Sequence, residues 1–263
     1  MIDIEGLHVV FNAGTANENH ALRGLDLHIA EGRFVSVIGS NGAGKSTLLN
    51  ALAGDVAAAQ GRLCVDGRDI TRVPTHARSG LCARVFQDPL AGTCGPLTIE
   101  ENLALADDRG RPRSLRAALD APRRARYREL LAPLGLGLEQ RLGDRMELLS
   151  GGQRQAVSLL MATMRPSRLL LLDEMTAALD PTMATFVMEL TRRIVAERRL
   201  TVLMVTHSMA QALAYGDRTL MMHRGQIVLD LAGEQRASMT VERLVEMFGQ
   251  ARAGTLDQDS LLL

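Results

Sequence analysis

The sequence predicts an α/β fold built on a parallel sheet, with a helical subdomain inserted near the middle of the chain. Three observations predict it. Short apolar runs alternate with longer segments of helical periodicity, which is the pattern of an α/β core. Two of those runs lead directly into turns that carry glycines or carboxylates. Residues 90–150 are rich in Leu, Ala and Arg and give few strand signals, which predicts the helical insertion.

The individual elements follow from periodicity. The predicted strands are Leu7–Phe11, Phe34–Ile38, Leu169–Leu172, Val202–Val205, Thr219–His223 and Gln226–Leu229. The predicted helices are Lys45–Ala53, Gly152–Met164, Thr182–Arg198 and Met209–Tyr215. The Arg224-Gly225 step indicates a hairpin turn between the last two strands. The final residues, GTLDQDSLLL, lack a periodic pattern, so we expect one domain over 1–250 and a mobile tail over 251–263.

Composition excludes several classes of protein. The 263 residues include 30 basic and 30 acidic side chains, and this balance removes the electrostatic case for a nucleic-acid binder. No apolar run approaches the roughly 18 residues of a transmembrane helix, and the start, MIDIE, does not resemble a secretory signal. We therefore expect a soluble, cytoplasmic chain. Cys64, Cys82 and Cys94 form no CxxC or zinc pattern, which favours free thiols in a reducing compartment.

The basic residues are unusual in type and in distribution. Of the 30, 29 are Arg and one, Lys45, is Lys. Eight arginines fall between Arg109 and Arg128. Such a run could contact anionic lipid headgroups or an acidic partner, or it could form a solvated helix face. We favour the solvated face, since most charge runs of this kind serve only solvation.

The segment after the strand Phe34–Ile38 fits the pattern GxxxxGK[ST] of a phosphate-binding loop. It consists of Gly39, Ser40, Asn41, Gly42, Ala43, Gly44, Lys45, Ser46 and Thr47. Its glycines let successive backbone N–H groups point at phosphate oxygens, and the N-terminus of the next helix adds partial positive charge. In such a loop the lysine reaches the β- and γ-phosphates, and the serine ligates Mg²⁺. The sequence therefore predicts ATP and Mg²⁺ as ligands.

A second acidic motif stands at the end of another predicted strand. Four leucines lead into Asp173 and Glu174, as expected of a strand buried on both faces. The C-terminal ends of parallel strands are where α/β sheets bind their ligands. Asp173 can hold Mg²⁺ through water, and Glu174 can act as general base toward the attacking water.

A third motif separates the chain from other phosphate-loop proteins. Leu149, Ser150, Gly151, Gly152 and Gln153 precede a predicted helix, with Ser150 at its N-cap. This is a second anion site, and one nucleotide has only one γ-phosphate. We therefore expect it to serve the nucleotide of another subunit in a head-to-tail, two-fold dimer.

The ordered set GSNGAGKST, LSGGQ, LLLLDE and a histidine after a strand resembles the ATP-binding subunit of ABC transporters, over about residues 2 to 250. The resemblance implies a phosphate-loop NTPase core, an ABC-type antiparallel β subdomain and the inserted helical subdomain. It implies that Gln87 touches Mg²⁺ and the attacking water, that Asp180 couples the two nucleotide sites, and that His207 contacts the γ-phosphate. It also implies that Phe11 stacks on adenine. One departure is Met175, where the family usually has proline.

The resemblance also implies the partners. The chain carries one nucleotide-binding domain without a fused membrane domain, so we expect a homodimer beneath a separate membrane permease, on the inner face of the cell membrane. Segments such as ARVFQDPLAGTCGPLTIEENLALA and DEMTAALDP resemble ATPases of tryptophan/tyrosine-type import systems, which also use an extracytoplasmic binding protein. Residues 88–108 would then receive the permease's coupling helix. The alternative is a cytosolic ATPase acting on a soluble scaffold, as in iron–sulfur assembly.

Overall fold

The computed structural model describes residues 1–111 and 117–260. The strands are β1 (Ile2–Phe11), β2 (Asn19–Ile29), β3 (Phe34–Gly39), β4 (Gln60–Val65), β5 (Arg68–Asp69), β6 (Cys82–Val85), β7 (Leu169–Asp173), β8 (Thr201–Val205), β9 (Arg218–His223) and β10 (Gln226–Ala232). The α-helices are α1 (Lys45–Ala53), α2 (Thr75–Arg78), α3 (Ile99–Asp107), α4 (Ala121–Leu131), α5 (Gly151–Thr163), α6 (Pro181–Arg198), α7 (Met209–Tyr215), α8 (Gly233–Ala237) and α9 (Val241–Ser260). None of these helices is both long enough and apolar enough to cross a membrane.

The first of two compact units comprises Met1–Arg78 and the chain from Thr201 onward. Its antiparallel sheet has the strand order β2-β1-β4-β5. In its other sheet, β3 pairs in parallel with both β8 and β9, and β9 pairs antiparallel with β10. β8 is buried throughout, as expected of a central parallel strand covered on both faces. A core of Ile38, Ala212, Met221, Leu231 and Leu244 lies against this sheet.

The second unit, Ser79–Leu200, contains the parallel pair β6–β7 and the helices α3 to α6. All five residues of β7 are buried. Short 3₁₀ turns at Ala132–Leu134, Leu138–Gln140 and Met146–Leu148 join α4 to α5. Helix α3 begins with a capping box between Thr98 and Glu101. The described part of residues 90–150 thus contains α-helices and 3₁₀ turns and no strand, in agreement with the helical insertion that the composition predicts.

All six predicted strands and all four predicted helices are present, with end shifts of a few residues. Strands β2, β4, β5 and β6 were not predicted, and β1 starts earlier than predicted. Register shifts between Ile4 and Leu7 and between Leu7 and Val9 interrupt the pairing of β1 with β2. Such bulges break the two-residue alternation by which a strand is recognised in sequence.

Two expectations change with the structure. Helix α9 continues to Ser260, so most of the predicted tail is helical rather than irregular, and residues 261–263 lie outside the described residues. Part of the arginine-rich segment, Arg113 and Arg116, also lies outside them. Within the described part of that segment, the arginines that form ion pairs are Arg111, Arg123, Arg124 and Arg126, and their partners are the acidic residues Glu100, Asp107 and Asp108. The side chains of Arg111, Arg124 and Arg126 remain more than 40% exposed, so internal pairing accompanies the predicted solvation of this segment and does not replace it.

Candidate functional site

The phosphate-binding loop lies between β3 and α1 in the first unit. Gly44 is the N-cap of α1, with φ 98° in the left-handed region, and no side chain caps the helix there. The first N–H groups of α1 are thus left to the backbone and to a ligand. Together with the helix dipole, this makes the loop suited to an anion such as phosphate.

Two glycines of the loop have close backbone neighbours. A Cβ on Gly39 would lie 2.3 Å from the carbonyl oxygen of Met222, and one on Gly44 would lie 2.6 Å from that of Ala21. Both glycines also have positive φ. Side chains at these two positions would displace the loop, because each would meet backbone rather than a flexible side-chain end.

Lys45 is held inside this loop. Its side chain is 5% exposed, and Nζ donates hydrogen bonds to the carbonyl oxygens of Gly39 (2.9 Å) and Ser40 (3.0 Å). The ammonium is therefore already placed in the curl of the loop where phosphates are expected to bind. Ser46, the predicted Mg²⁺ ligand, is exposed, and Thr47 is half-buried.

The loop is anchored by residues that no motif identifies. The N–H of Gly225, in the β9–β10 turn, donates to the carbonyl of Ala43 (3.0 Å), and the carbonyl of Gly225 accepts from the N–H of Arg23 on β2 (3.1 Å). Arg224 and Gly225 both have positive φ, which confirms the predicted hairpin turn. The hairpin turn and β2 thus support the loop through the backbone.

The first unit also places two further predicted residues. β3 and β8 pair with Val37 opposite Val205. Gly39, the last residue of β3, and His207, which follows β8, each lie two residues beyond this pair. The Oγ1 of buried Thr206 accepts from the N–H of Ser208 (3.0 Å) in the turn that presents the exposed His207. Phe11 ends β1 and is 36% exposed, as a ring that receives a ligand must be.

In the second unit, the register of β6 and β7 brings together the predicted water-activating residues. Val85 lies opposite Leu172, so Gln87 and Glu174 follow their strands at equal height. Glu174 has φ 43°, a left-handed conformation that is costly for a residue other than glycine. Met175, where the family has proline, is buried. The departure from proline therefore places an apolar side chain in the core and leaves both carboxylates in place.

Asp173 has a partner that the sequence did not reveal. Arg84 of β6 donates from one terminal nitrogen to Oδ2 of Asp173 at 2.6 Å. The guanidinium carbon of Arg84 also lies 4.6 Å from the centre of the Phe86 ring. No local pattern indicates this pair, because the two residues are 89 positions apart.

The signature segment begins α5 as predicted. Ser150 Oγ accepts from the N–H of Gln153, and Gln153 Oε1 accepts from the N–H of Ser150, which completes a capping box. A Cβ on Gly152 would lie 2.4 Å from Cε of Met183 on α6. Asp180 caps α6 by accepting from the N–H groups of Thr182 and Met183. The starts of α5 and α6 are thus packed against each other.

The residues present suit Mg²⁺–ATP. In the first unit, the glycine curl around Lys45 fits phosphate, and Ser46 carries a hydroxyl oxygen. In the second unit, Gln87 and Asp173 carry oxygen donors, the kind of ligand that Mg²⁺ prefers. Within the described part of the chain, no group of three or more His, Cys, Asp and Glu side chains could hold a metal ion by themselves.

Comparison with known proteins identifies the family of the chain. Residues 22–177 match the ABC transporter family model. The tyrosine transport ATP-binding protein of Clostridioides difficile (strain R20291) is 41% identical over 95% of this chain and 100% of its own. An aliphatic sulfonates import ATP-binding protein of Agrobacterium fabrum (strain C58 / ATCC 33970) is 36% identical over 88% of this chain and 79% of its own.

A solved structure agrees as well. An ATP-binding cassette, dimeric in a post-hydrolysis state and bound to ADP and Pi, superposes with a TM-score of 0.76 and 27% identity, covering 88% of this chain and 98% of its own. The family match spans more than half of the chain and includes the phosphate loop, Asp173 and Glu174. The chain therefore belongs to the ABC transporter family, as an ATP-binding cassette that hydrolyses ATP.

Proposed function

We propose that the chain energises the uptake of an aromatic amino acid through a separate membrane permease. The observation that carries this proposal is the 41% identity with a tyrosine transport ATP-binding protein, which extends over that relative's whole length. The sulfonate import relative is less similar and is matched over a smaller share of its length. Both relatives are transport subunits, which favours an importer over the alternative of a soluble scaffold.

We propose that the phosphate loop and Lys45 bind the phosphates of ATP, while Phe11 stacks on adenine. Ser46, Gln87 and Asp173 would hold Mg²⁺, which supplies positive charge next to the β- and γ-phosphate oxygens. A lysine suits this loop better than an arginine would, since a compact ammonium fits where a planar guanidinium does not. The hydrogen bonds from Nζ to Gly39 and Ser40 support this role.

Hydrolysis needs a base and a means of orienting water. We propose that Glu174 accepts the proton of the attacking water, that Gln87 orients this water, and that His207 contacts the γ-phosphate. The equal register of Gln87 and Glu174 supports the first two roles. A positioned general base contributes about 10²- to 10⁴-fold to a rate.

We further propose a homodimer in which Leu149, Ser150, Gly151, Gly152 and Gln153 of one subunit bind the ATP held by the other. The capping box fixes the N-terminus of α5, and the solved relative is itself dimeric with ADP and Pi. Asp180 would couple the two sites, because its helix packs on Gly152 through Met183.

The proposed location follows from the partners. We place the dimer on the inner face of the cell membrane, with residues 88–108 against the permease and a separate binding protein outside the cell. Leu90 and Leu105, two exposed apolar side chains in that segment, support such a contact.

The nucleotide site can be tested through the single lysine. Apart from the N-terminus, an amine-selective reagent has only Lys45 as a target. ATP should slow its labelling, and labelling should abolish ATP hydrolysis. Quantified by mass spectrometry, a labelling rate that ATP does not change would contradict the assignment.

The dimer can be tested with Ser150→Arg. A long cation on α5 should block closure onto the partner's ATP, so ATP-dependent dimerisation disappears in gel filtration. Binding of ATP to the isolated subunit should persist, because Ser150 serves the other subunit's nucleotide. If the monomer lost ATP binding, Ser150 would contact its own subunit's nucleotide, and the proposed contact with the partner's ATP would be wrong.

The transported solute can be tested by uptake. Cells whose only copy of the chain carries Lys45→Ala should accumulate labelled tyrosine or tryptophan more slowly than wild type, with alkanesulfonate uptake unchanged. Loss of sulfonate uptake instead would overturn the amino-acid assignment. Recovery of the chain with soluble partners alone, and never with a membrane protein, would favour the scaffold alternative.

A further inference from the structure

A buried ion pair joins β6 to the carboxylate that ends β7. Arg84 donates to Oδ2 of Asp173 at 2.6 Å, and the two side chains are only 13% and 12% exposed. Arg84 lies opposite Leu171 in the parallel pairing, and Leu171 shares a sheet face with Asp173 two residues later. The backbone register therefore brings the two side chains to the same face of the sheet, where they form the ion pair.

The guanidinium is held from a second direction. Its carbon lies 4.6 Å from the centroid of the Phe86 ring, within the range of a cation–π contact. The carbonyl of Phe86 in turn accepts from the side-chain amide of buried Gln155 on α5 (3.2 Å). Arg84 is thus fixed between an aromatic face and a carboxylate, a geometry that its planar fork suits and a lysine does not.

The pair fixes the orientation of the Asp173 carboxylate. An ionised carboxylate at this depth is costly unless it is paired, and Arg84 is the side chain that pairs it. Among the described residues, no other hydrogen bond reaches the Asp173 carboxylate. Arg84 therefore occupies Oδ2 and leaves Oδ1 as an acceptor, so the carboxylate is oriented.

We propose that Arg84 is a positioning residue that orients the Asp173 carboxylate for Mg²⁺ and thereby sets the metal affinity of the nucleotide site. The inference rests on the proposed role of Asp173 toward Mg²⁺. Partners that orient a metal ligand in this way typically change metal affinity or activity by about 10- to 100-fold when removed.

Two other roles for the pair make different predictions. A pair that only stabilised the β6–β7 sheet would change the melting temperature and leave the metal affinity of the folded protein unaltered. A guanidinium that competed with Mg²⁺ for the carboxylate would weaken metal binding, so its removal would strengthen it. Positioning alone predicts weaker metal binding when Arg84 is replaced.

The experiment measures the affinity of the full chain for a fluorescent, non-hydrolysable ATP analogue, first in EDTA and then across a Mg²⁺ titration. Arg84→Lys keeps the charge without the planar fork, and Arg84→Met removes both the charge and the fork. The measured quantity is the Mg²⁺ concentration that gives half of the metal-dependent increase in affinity for the analogue. We expect it to rise about 10-fold in Arg84→Lys and up to about 100-fold in Arg84→Met. Affinity in EDTA should stay at the wild-type value, because the phosphate loop is untouched.

Arg141 provides a matched control in the same unit. It pairs with Asp144 at 2.7 Å, but both side chains are more than a third exposed. Arg141→Lys and Arg141→Met should leave the Mg²⁺ titration unchanged. An unchanged or lower half-saturating concentration in both Arg84 variants would overturn the inference, and Arg84→Lys keeps it testable if Arg84→Met fails to fold. If the affinity of the wild-type protein for the analogue did not change with Mg²⁺, the proposed metal site itself would be wrong.

Discussion

Lys45 and Asp173 are both charged and nearly buried, yet the protein holds them in different ways. Lys45 is bound by the carbonyls of Gly39 and Ser40, which lie within six residues of it. Asp173 is bound by the side chain of Arg84, 89 positions away. Lys45 is thus held by backbone groups close to it in the sequence. Asp173 is held by a side chain that only the folded sheet brings next to it. A short sequence pattern can identify the first arrangement but not the second.

The largest effect should come from removing the base and leaving the phosphate loop intact. We expect Glu174→Gln to lower ATP hydrolysis by about 10²- to 10⁴-fold, since the amide cannot accept the proton of water. ATP binding should be retained, because Lys45 and its loop do not depend on this carboxylate. Phosphate release and equilibrium ATP binding measure the two properties separately. Normal turnover in this variant would show that Glu174 is not the base.

The phosphate loop should be disrupted by the addition of a single methyl group at Gly44. Gly44→Ala would place Cβ 2.6 Å from the carbonyl oxygen of Ala21, at φ 98°. We expect loss of ATP binding and a fall in the free energy of unfolding of more than the roughly 1–3 kcal/mol that a left-handed residue costs by itself. Gly42→Ala is the matched control, since φ is 76° there and nothing lies within 4 Å of its Cβ. Urea unfolding measures the loss of stability in each variant. Equal losses would show that the positive φ, and not the contact with the Ala21 carbonyl, is what requires glycine at position 44.

Periodicity predicts the fold well wherever an element is regular. The buried runs of β7 and β8 and the helices α1 and α7 were predicted to within a residue or two. β2 and the start of β1 were not, because bulges interrupt their alternation. The helical character of 90–150 was predicted, but α3 and α4 were not bounded. Arg124 and Arg126 of α4 pair with acidic residues of α3 and are still 42% and 47% exposed, so a charge run can mark a solvent face and a helix contact at once.

The candidate site divides in the same way. The phosphate loop and the N-cap of α5 at Ser150 were predicted, because each depends on neighbours a few residues away. Asp180 was singled out only through the family resemblance, and its role as the N-cap of α6 was not predicted. The contributions of Arg84, Gly225 and Met183 could not, because each reaches the site through pairing or packing between distant segments. The signal for Arg84 would have been a charged residue within a strand, which requires a partner when it is buried, but β6 was not among the predicted strands.

A smaller effect should appear where α5 meets α6. Gly152→Ala would place Cβ 2.4 Å from Cε of Met183, the flexible end of a side chain, so we expect the Met to shift at a cost of about 1–3 kcal/mol. Gly151→Ala is the control, because its nearest neighbour is Leu179 at an ordinary 3.8 Å. Met183→Ala in the Gly152→Ala background should restore part of the lost free energy of unfolding. No recovery in the double variant would mean that the helix start, and not the Met contact, requires glycine.

The smallest effect should come from the exposed counterpart of the Arg84–Asp173 pair. Arg123 donates to both oxygens of Asp108, at 2.7 and 3.1 Å, and this hydrogen bonding holds the pKa of Asp108 below its usual value. A lowered native pKa means that the pair stabilises the fold above the unfolded pKa of about 4, and that this stability is lost as the pH falls through the native value. Because the Asp108 side chain is 43% exposed, we expect Asp108→Asn to cost less than about 1 kcal/mol at pH 7. The difference from wild type should vanish in acid.

Urea unfolding at pH 7 and in acid, with Arg123→Met and the double variant, gives the coupling energy at each pH. A coupling that persists unchanged in acid would show that packing of the arginine stem, and not charge, joins α3 to α4.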